Sequence, residues 1–101
     1  MKKIVNNKMY NTITAELIAE DSYSNPGDFR YWHEALYKKK TGEYFLYGEG
    51  GPLSMYRTEL GLNSWDSGEN IQPLSVEEAK KWAEQHSSAE EYIKAFGEPE
   101  E

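Results

Sequence analysis

Cysteine is absent from this sequence of 101 residues, which excludes disulfide bonds, thiolate metal sites and cysteine nucleophiles. Long apolar runs are absent too, and the opening segment 1–5 turns polar at Asn6 before a signal-peptide core could form. We therefore expect a cytoplasmic protein that makes no contact with a membrane. The length is sufficient for one domain to bury most of its apolar surface without a metal or a crosslink. We predict a single domain over residues 1–97, followed by a frayed acidic tail at 98–101.

Signatures of catalysis are also missing. The only histidines are His33 and His86, and a metal site would need both of them together with carboxylates from distant segments. No nucleophile elbow and no Ser-x-x-Lys motif is present. Glu34 beside His33, and Asp66 near Glu69, could supply an acid and a base, but such isolated pairs are typical of solvated surface charges. The sequence predicts a protein that is not an enzyme and that has no cofactor and no metal.

Basic side chains are scarce in the second half of the chain. Residues 58–101 contain eleven acidic and three basic side chains, a net charge of −8, whereas residues 1–57 carry +1. Such an acidic half disfavours direct binding of nucleic acid and favours a protein partner with a basic surface, although solubility alone would also explain it. The carboxylates that we expect to bind such a partner are Glu59, Asp66, Glu69, Glu77 and Glu84.

Aromatic residues are abundant, and many of the 14 flank a polar turn in the middle of the chain. Two runs at 31–37 and 44–47 surround Lys38–Glu43, which predicts a β-hairpin with Gly42 at a positive φ angle. Both faces of the second run carry bulky side chains, so one face should pack on helices and the other could bind a partner. We expect more aromatic side chains than one core can use, and some tyrosines should be partly exposed.

The C-terminal segment predicts two short helices that meet near His86. Capping boxes at 75–78 and 87–90 precede apolar residues at helical spacing, and Gly97 provides a stop. The fold class is therefore α+β, with a small antiparallel sheet centred on the 31–47 hairpin and packed by these helices. The residues expected in the core are Trp32 or Leu36, Phe45, Leu46, Ile71, Trp82, Ile93 and Phe96.

The N-terminal segment predicts a small hairpin around Asn6-Asn7, because both residues tolerate left-handed backbone angles. Residues 12–20 fit either a helix or a strand by their apolar spacing. We favour a helix, since Ala, Glu and Leu dominate from Ala15 to Glu20, and we expect it to end near Asp21. The segment 22–28, which contains Asn-Pro-Gly, should be a loop.

Three glycines follow the central hairpin within the segment Gly48–Gly51. They predict a loop with unusual backbone angles or with a close approach of a ligand, and a structural turn is the more common explanation. We then expect a short helix from Leu53 to Leu60, a loop at 63–70 and a short edge strand at 71–72. The alternative function is binding of a nucleotide-like molecule by Tyr47, Gly48, Gly50, Gly51 and Arg57. In that case Gly50→Val should abolish ligand binding and leave the fold intact.

A resemblance to known proteins is carried by residues 1–12, 42–52, 73–75 and 78–82. In these stretches the sequence resembles a group of small acidic proteins from phages and mobile elements of Gram-positive bacteria. Some small acidic proteins in that setting are anti-CRISPR or other anti-defence factors. The resemblance implies a protein-interaction module, an inhibitor of a host CRISPR-type nuclease, that acts through an acidic surface. It carries no catalytic residue with it.

Overall fold

The computed structural model describes all residues, 1–101, and has the predicted α+β architecture. Eight strands are followed by two helices, and every strand pair is antiparallel. No helix of the protein has the length and the apolar character needed to cross a membrane. The elements are β1 (Lys2–Val5), β2 (Lys8–Asn11), β3 (Glu16–Tyr23), β4 (Trp32–Lys38), β5 (Tyr44–Gly50), β6 (Thr58–Gly61), β7 (Ser64–Asp66), β8 (Gly68–Leu74), α1 (Val76–His86) and α2 (Ala89–Phe96).

The central sheet has the strand order β3-β4-β5-β8, and β1-β2 and β6-β7 form two separate hairpins. The predicted central hairpin is confirmed, since β4 and β5 pair from Trp32 opposite Gly50 to Lys38 opposite Tyr44. Gly42 in its turn has φ = +94°, a backbone angle that glycine adopts without strain. The predicted edge strand at 71–72 is part of the longer edge strand β8.

One face of the sheet packs against the helices. Trp82, Ala79 and Ala83 on α1 are buried against Leu36 and Leu46 of the sheet. The capping box predicted at 75–78 is present, with Ser75 as the N-cap. The box predicted at 87–90 lies one residue later, with Ser88 as the N-cap and Glu91 as its partner. The sequence prediction was wrong for Ile93, which is 40% exposed, while Phe96 is half-buried against this core.

The other face of the sheet is covered at one end by the β1-β2 hairpin. Tyr10 meets the ring of Phe45 edge-on at a centroid distance of 5.6 Å, and Ile71 completes this smaller core. The ammonium group of Lys39 lies 4.2 Å from the centre of the Tyr10 ring. Asn6 and Asn7 have the expected positive φ angles, which confirms the predicted N-terminal turn.

The predicted helix at 12–20 was wrong, because residues Glu16–Tyr23 form strand β3. Ala19 lies opposite Leu36 in the sheet and is buried in the core of the helix-covered face. Ladder hydrogen bonds and this burial outweigh a helix propensity that amounts to a few tenths of a kcal/mol per residue. The loop predicted to begin at 22 accordingly begins later, after Tyr23.

The predicted short helix at 53–60 and the predicted loop at 63–70 were also wrong. Turns occupy residues 52–56, and β6, β7 and the start of β8 follow. Asn63 has φ = +59° in the turn between β6 and β7, which is the left-handed angle that such a hairpin requires. The segment thus becomes a second small hairpin beside the central sheet.

Candidate functional site

The five carboxylates predicted to bind a partner are all exposed, but they lie on three different elements of the structure. Glu59 and Asp66 are on the β6-β7 hairpin, and Glu69 is on the edge strand β8. Glu77 and Glu84 lie seven residues apart on α1, a spacing that puts them on one face of that helix. The register of the β6-β7 hairpin pairs Glu59 with Trp65 and Asp66 with Thr58, which puts Glu59 and Asp66 on opposite faces of the hairpin. The structure therefore groups only Glu77 with Glu84 and does not unite all five in one cluster.

None of these five carboxylates forms an ion pair with a lysine or an arginine. In the whole protein, the ion pairs that involve lysine or arginine engage a single carboxylate, that of Glu43, at 3.1 Å from Lys8 and 3.3 Å from Lys39. The remaining ion pairs are contacts between histidines and carboxylates. The negative charge of residues 58–101 therefore faces solvent without compensation.

The β6-β7 hairpin is exposed at every residue and also presents large apolar side chains. Leu62 is 94% exposed, Leu60 is 63% exposed and Trp65 is 41% exposed. Arg57 lies over the Trp65 ring at 5.2 Å from its centre. Sequence reasoning missed this hairpin; the available signal was Asn63, because asparagine tolerates the left-handed backbone angle of a tight turn.

The glycines proposed as a ligand loop are covered by the protein itself. Gly48 and Gly50 belong to β5, and a Cβ atom at Gly48 would collide with the ring of Tyr56. At Gly50 a Cβ atom would lie 2.7 Å from the carbonyl oxygen of Tyr31, and at Gly51 it would lie 2.6 Å from that of Phe29. These glycines are required for close packing between chain segments, so the expectation that Gly50→Val leaves the fold intact was wrong.

Tyr47 and Arg57, the other members of that proposed ligand site, are not brought together. Arg57 lines a cavity with Tyr56, the residue that covers Gly48. Tyr47 packs with Phe45 and Ile71 on the face opposite to Tyr56. Its hydroxyl group lies 3.1 Å from a carboxylate oxygen of Glu49 and 2.8 Å from one of Glu69. Burial, together with these carboxylates, raises the pKa of Tyr47.

Glu49 and Glu69 lie directly opposite each other on β5 and β8, which places like charges side by side. Tyr31 donates to Glu49 at 3.3 Å, and Nδ1 of His33 lies 3.7 Å from the same carboxylate. Neutral hydroxyl groups and one imidazole thus hold these carboxylates. The structure contains no group of three or more histidine, aspartate or glutamate side chains arranged to hold a metal ion.

Glu34 is the charged residue that the sequence interpretation placed most incorrectly, since it is 6% exposed and not a solvated surface group. Its Oε1 accepts a hydrogen bond of 2.9 Å from the indole Nε1 of Trp82, and its Oε2 accepts one from the hydroxyl of Tyr56. Burial, followed by the hydrogen bond to Glu34, raises the pKa of Tyr56. The available signal was alternation along β4, which puts Glu34 on the same face as the buried Leu36.

Comparison of the chain with protein-family models, with curated proteins and with solved structures finds no match.

Proposed function

We propose that this protein is a non-enzymatic interaction module that binds a basic protein surface. We further propose that it is a phage or mobile-element inhibitor and that its target is a host-defence nuclease of the CRISPR type. Such nucleases hold nucleic acid in positively charged channels, which an acidic protein could occupy. The resemblance carried by residues 1–12, 42–52, 73–75 and 78–82 motivates the choice of target.

The observation that supports this proposal is the set of exposed carboxylates without a lysine or arginine partner. Surface charges that are already paired gain little from a new partner, whereas unpaired ones attract a basic surface over a distance of about 10 Å at 0.1 M salt. All five carboxylates assigned to the partner are exposed and have no lysine or arginine partner: Glu59, Asp66, Glu69, Glu77 and Glu84.

The β6-β7 hairpin is the part of the surface best suited to the centre of such a contact. It combines the carboxylates of Glu59 and Asp66 with the exposed apolar side chains of Leu60, Leu62 and Trp65. Interfaces gain most of their affinity from buried aromatic and aliphatic side chains, and tryptophan is enriched among the residues that dominate binding. Charge would then steer the encounter, and the apolar residues would hold the complex.

The direct test measures binding to a panel of purified CRISPR nucleases and inhibition of their DNA cleavage. We expect a stoichiometric complex that is tight at about 50 mM salt and much weaker at about 500 mM salt, because exposed charges are screened. A variant with amide side chains in place of the five carboxylates should lose inhibition. If no nuclease in the panel is bound or inhibited at low salt, the proposed target is wrong.

A matched control separates these five positions from total charge. It replaces five other exposed carboxylates by amides and so changes the net charge by the same amount. Equal loss of binding in both variants would show that total charge, and not this surface, is responsible. The control positions are Glu16, Glu90, Glu98, Glu100 and Glu101.

A further inference from the structure

A cavity of about 480 Å³ opens beside Tyr56, and the buried carboxylate of Glu34 lines it. This volume lies in the range of cavities that hold small molecules. Leu46 and Met55 provide apolar walls, and Arg57 and Gln72 contribute polar side chains.

Three charged residues line this cavity: Glu34, Arg57 and Glu69. The carboxylate of Glu69 accepts a hydrogen bond from Tyr47, whereas Glu34 and Arg57 have opposite charges and neither forms an ion pair. Burial of a charge is costly unless a partner of opposite charge or several hydrogen bonds compensate it. Glu34 receives only two hydrogen bonds, both from neutral groups.

Both residues retain capacity to bind a ligand. A carboxylate offers about four acceptor positions, and Glu34 uses two of them, for Trp82 and for Tyr56. The guanidinium group of Arg57 lies over the Trp65 ring, and no hydrogen bond from its side chain is present, so its N–H donors remain available. The side-chain amide of Gln72 makes no hydrogen bond within the protein either, and it can serve either end of a ligand.

We infer that this cavity binds a small zwitterionic molecule, with a protonated amine directed at Glu34 and a carboxylate or phosphate directed at Arg57. The cation would provide the opposite charge that Glu34 lacks in its buried position. The anion would form a charge-assisted, bidentate contact with Arg57. Glu69 lines the cavity and is also one of the five carboxylates assigned to the basic partner, but its carboxylate is hydrogen-bonded to Tyr47 and takes no part in the proposed ligand contacts.

The test uses a series of amino carboxylates in which the distance between the amine and the carboxylate increases: glycine, β-alanine, 4-aminobutanoate, 5-aminopentanoate and 6-aminohexanoate. Calorimetry and thermal melting of the full-length protein measure the binding of each. We expect one or two neighbouring lengths to bind, and at about ten times its Kd such a ligand should raise Tm by about 6–11 °C. Butylamine and butanoate, which carry only one of the two charges, should give no shift.

Single substitutions test which side chains of the cavity bind the ligand. Arg57→Gln should abolish the ligand-induced shift while the protein stays folded, because Arg57 is exposed and makes no hydrogen bond through its side chain. Gln72→Ala, also at an exposed residue, should weaken binding. Arg30→Gln is the matched control, since Arg30 is an exposed arginine outside the cavity, and it should bind as the unmodified protein does. Glu34→Gln should also lose binding if it folds.

Three results would overturn the inference. They are the absence of a Tm shift with every member of the amino carboxylate series, an equal Tm shift with butylamine or butanoate, and a Tm shift that persists in Arg57→Gln. In the first case Glu34 has only a structural role, as the acceptor for Trp82 and Tyr56.

Discussion

The indole Nε1 of Trp82 donates a hydrogen bond to Oε1 of Glu34 across 48 residues of sequence. The same carboxylate accepts a hydrogen bond from Tyr56 through its other oxygen. One side chain on β4 therefore links helix α1 to the sheet and also fixes the segment that leads into the β6-β7 hairpin. The structure of the candidate surface depends on this buried polar contact.

The first prediction concerns Trp82. Trp82→Ala should lower the free energy of unfolding by about 3–5 kcal/mol, because it empties a large buried site. Trp82→Phe keeps a ring but leaves Oε1 of Glu34 without its donor, which should cost about 1–3 kcal/mol. Urea denaturation measures both values. Trp65→Ala is the control, since Trp65 is 41% exposed, against 8% for Trp82, and its replacement should cost much less.

The second prediction concerns Gly48. Gly48→Ala should destabilise the protein by about 1–3 kcal/mol or more, because the added methyl group meets the ring of Tyr56. In the double variant with Tyr56→Ala the ring is absent, so the cost of the Gly48 substitution should be much smaller. A double-mutant cycle by chemical denaturation measures this coupling. Additive costs would mean that the Tyr56 ring does not occupy the space above Gly48.

The third prediction concerns acid stability. Hydrogen bonds from Lys8, then from Thr41 and Lys39, lower the pKa of Glu43 from 4.5 to about 2. Because the folded-state pKa is below the unfolded value, Glu43 stabilises the fold above pH 4.5, and this contribution is lost as the pH falls toward 2. The unmodified protein should be more stable than Glu43→Gln at pH 6, and the difference should shrink between pH 4.5 and 2. Melting temperatures across that range test it.

A reciprocal substitution checks the cause. Lys8→Gln removes the donor with the largest effect on the Glu43 pKa, so it should reduce the pH dependence in the same window. A pH profile identical to that of the unmodified protein would contradict the role of the contact between the β1-β2 hairpin and the central turn.

The fourth prediction concerns alkaline pH. Burial raises the pKa values of Tyr47 and Tyr56 above the usual value of 10. A raised folded-state pKa means that stability is fully present below pH 10 and is lost as the pH rises above it. In a spectrophotometric titration, these phenols should ionise last and together with unfolding. Tyr47→Phe should remove one late-titrating group, and an unchanged late step would contradict the assignment.

Local sequence was sufficient for the elements whose determinants lie within a few residues. Ser75 with Glu78 specified the start of α1, the serines at 87–88 indicated the start of α2 to within one residue, and Gly42 and Asn6-Asn7 specified two turns. Alternation in 44–47 indicated a strand with bulky side chains on both faces, and both faces do pack. In these cases, capping and turn geometry depend on the residues' own backbone angles and nearby hydrogen bonds.

Only the tertiary structure decided the features that depend on distant partners. Residues 16–20 favour a helix by propensity, but the paired strand β4 makes them a strand, because ladder hydrogen bonds and burial of Ala19 are worth more than propensity. Gly48 looked like part of a ligand loop because the sequence does not reveal that Tyr56 packs on it. The sequence suggested that Glu34 is a surface charge, but in the structure α1 places Trp82 within hydrogen-bond distance of it. The two donors to its carboxylate, Tyr56 and Trp82, lie 22 and 48 positions further along the chain. No local pattern encodes contacts over such separations.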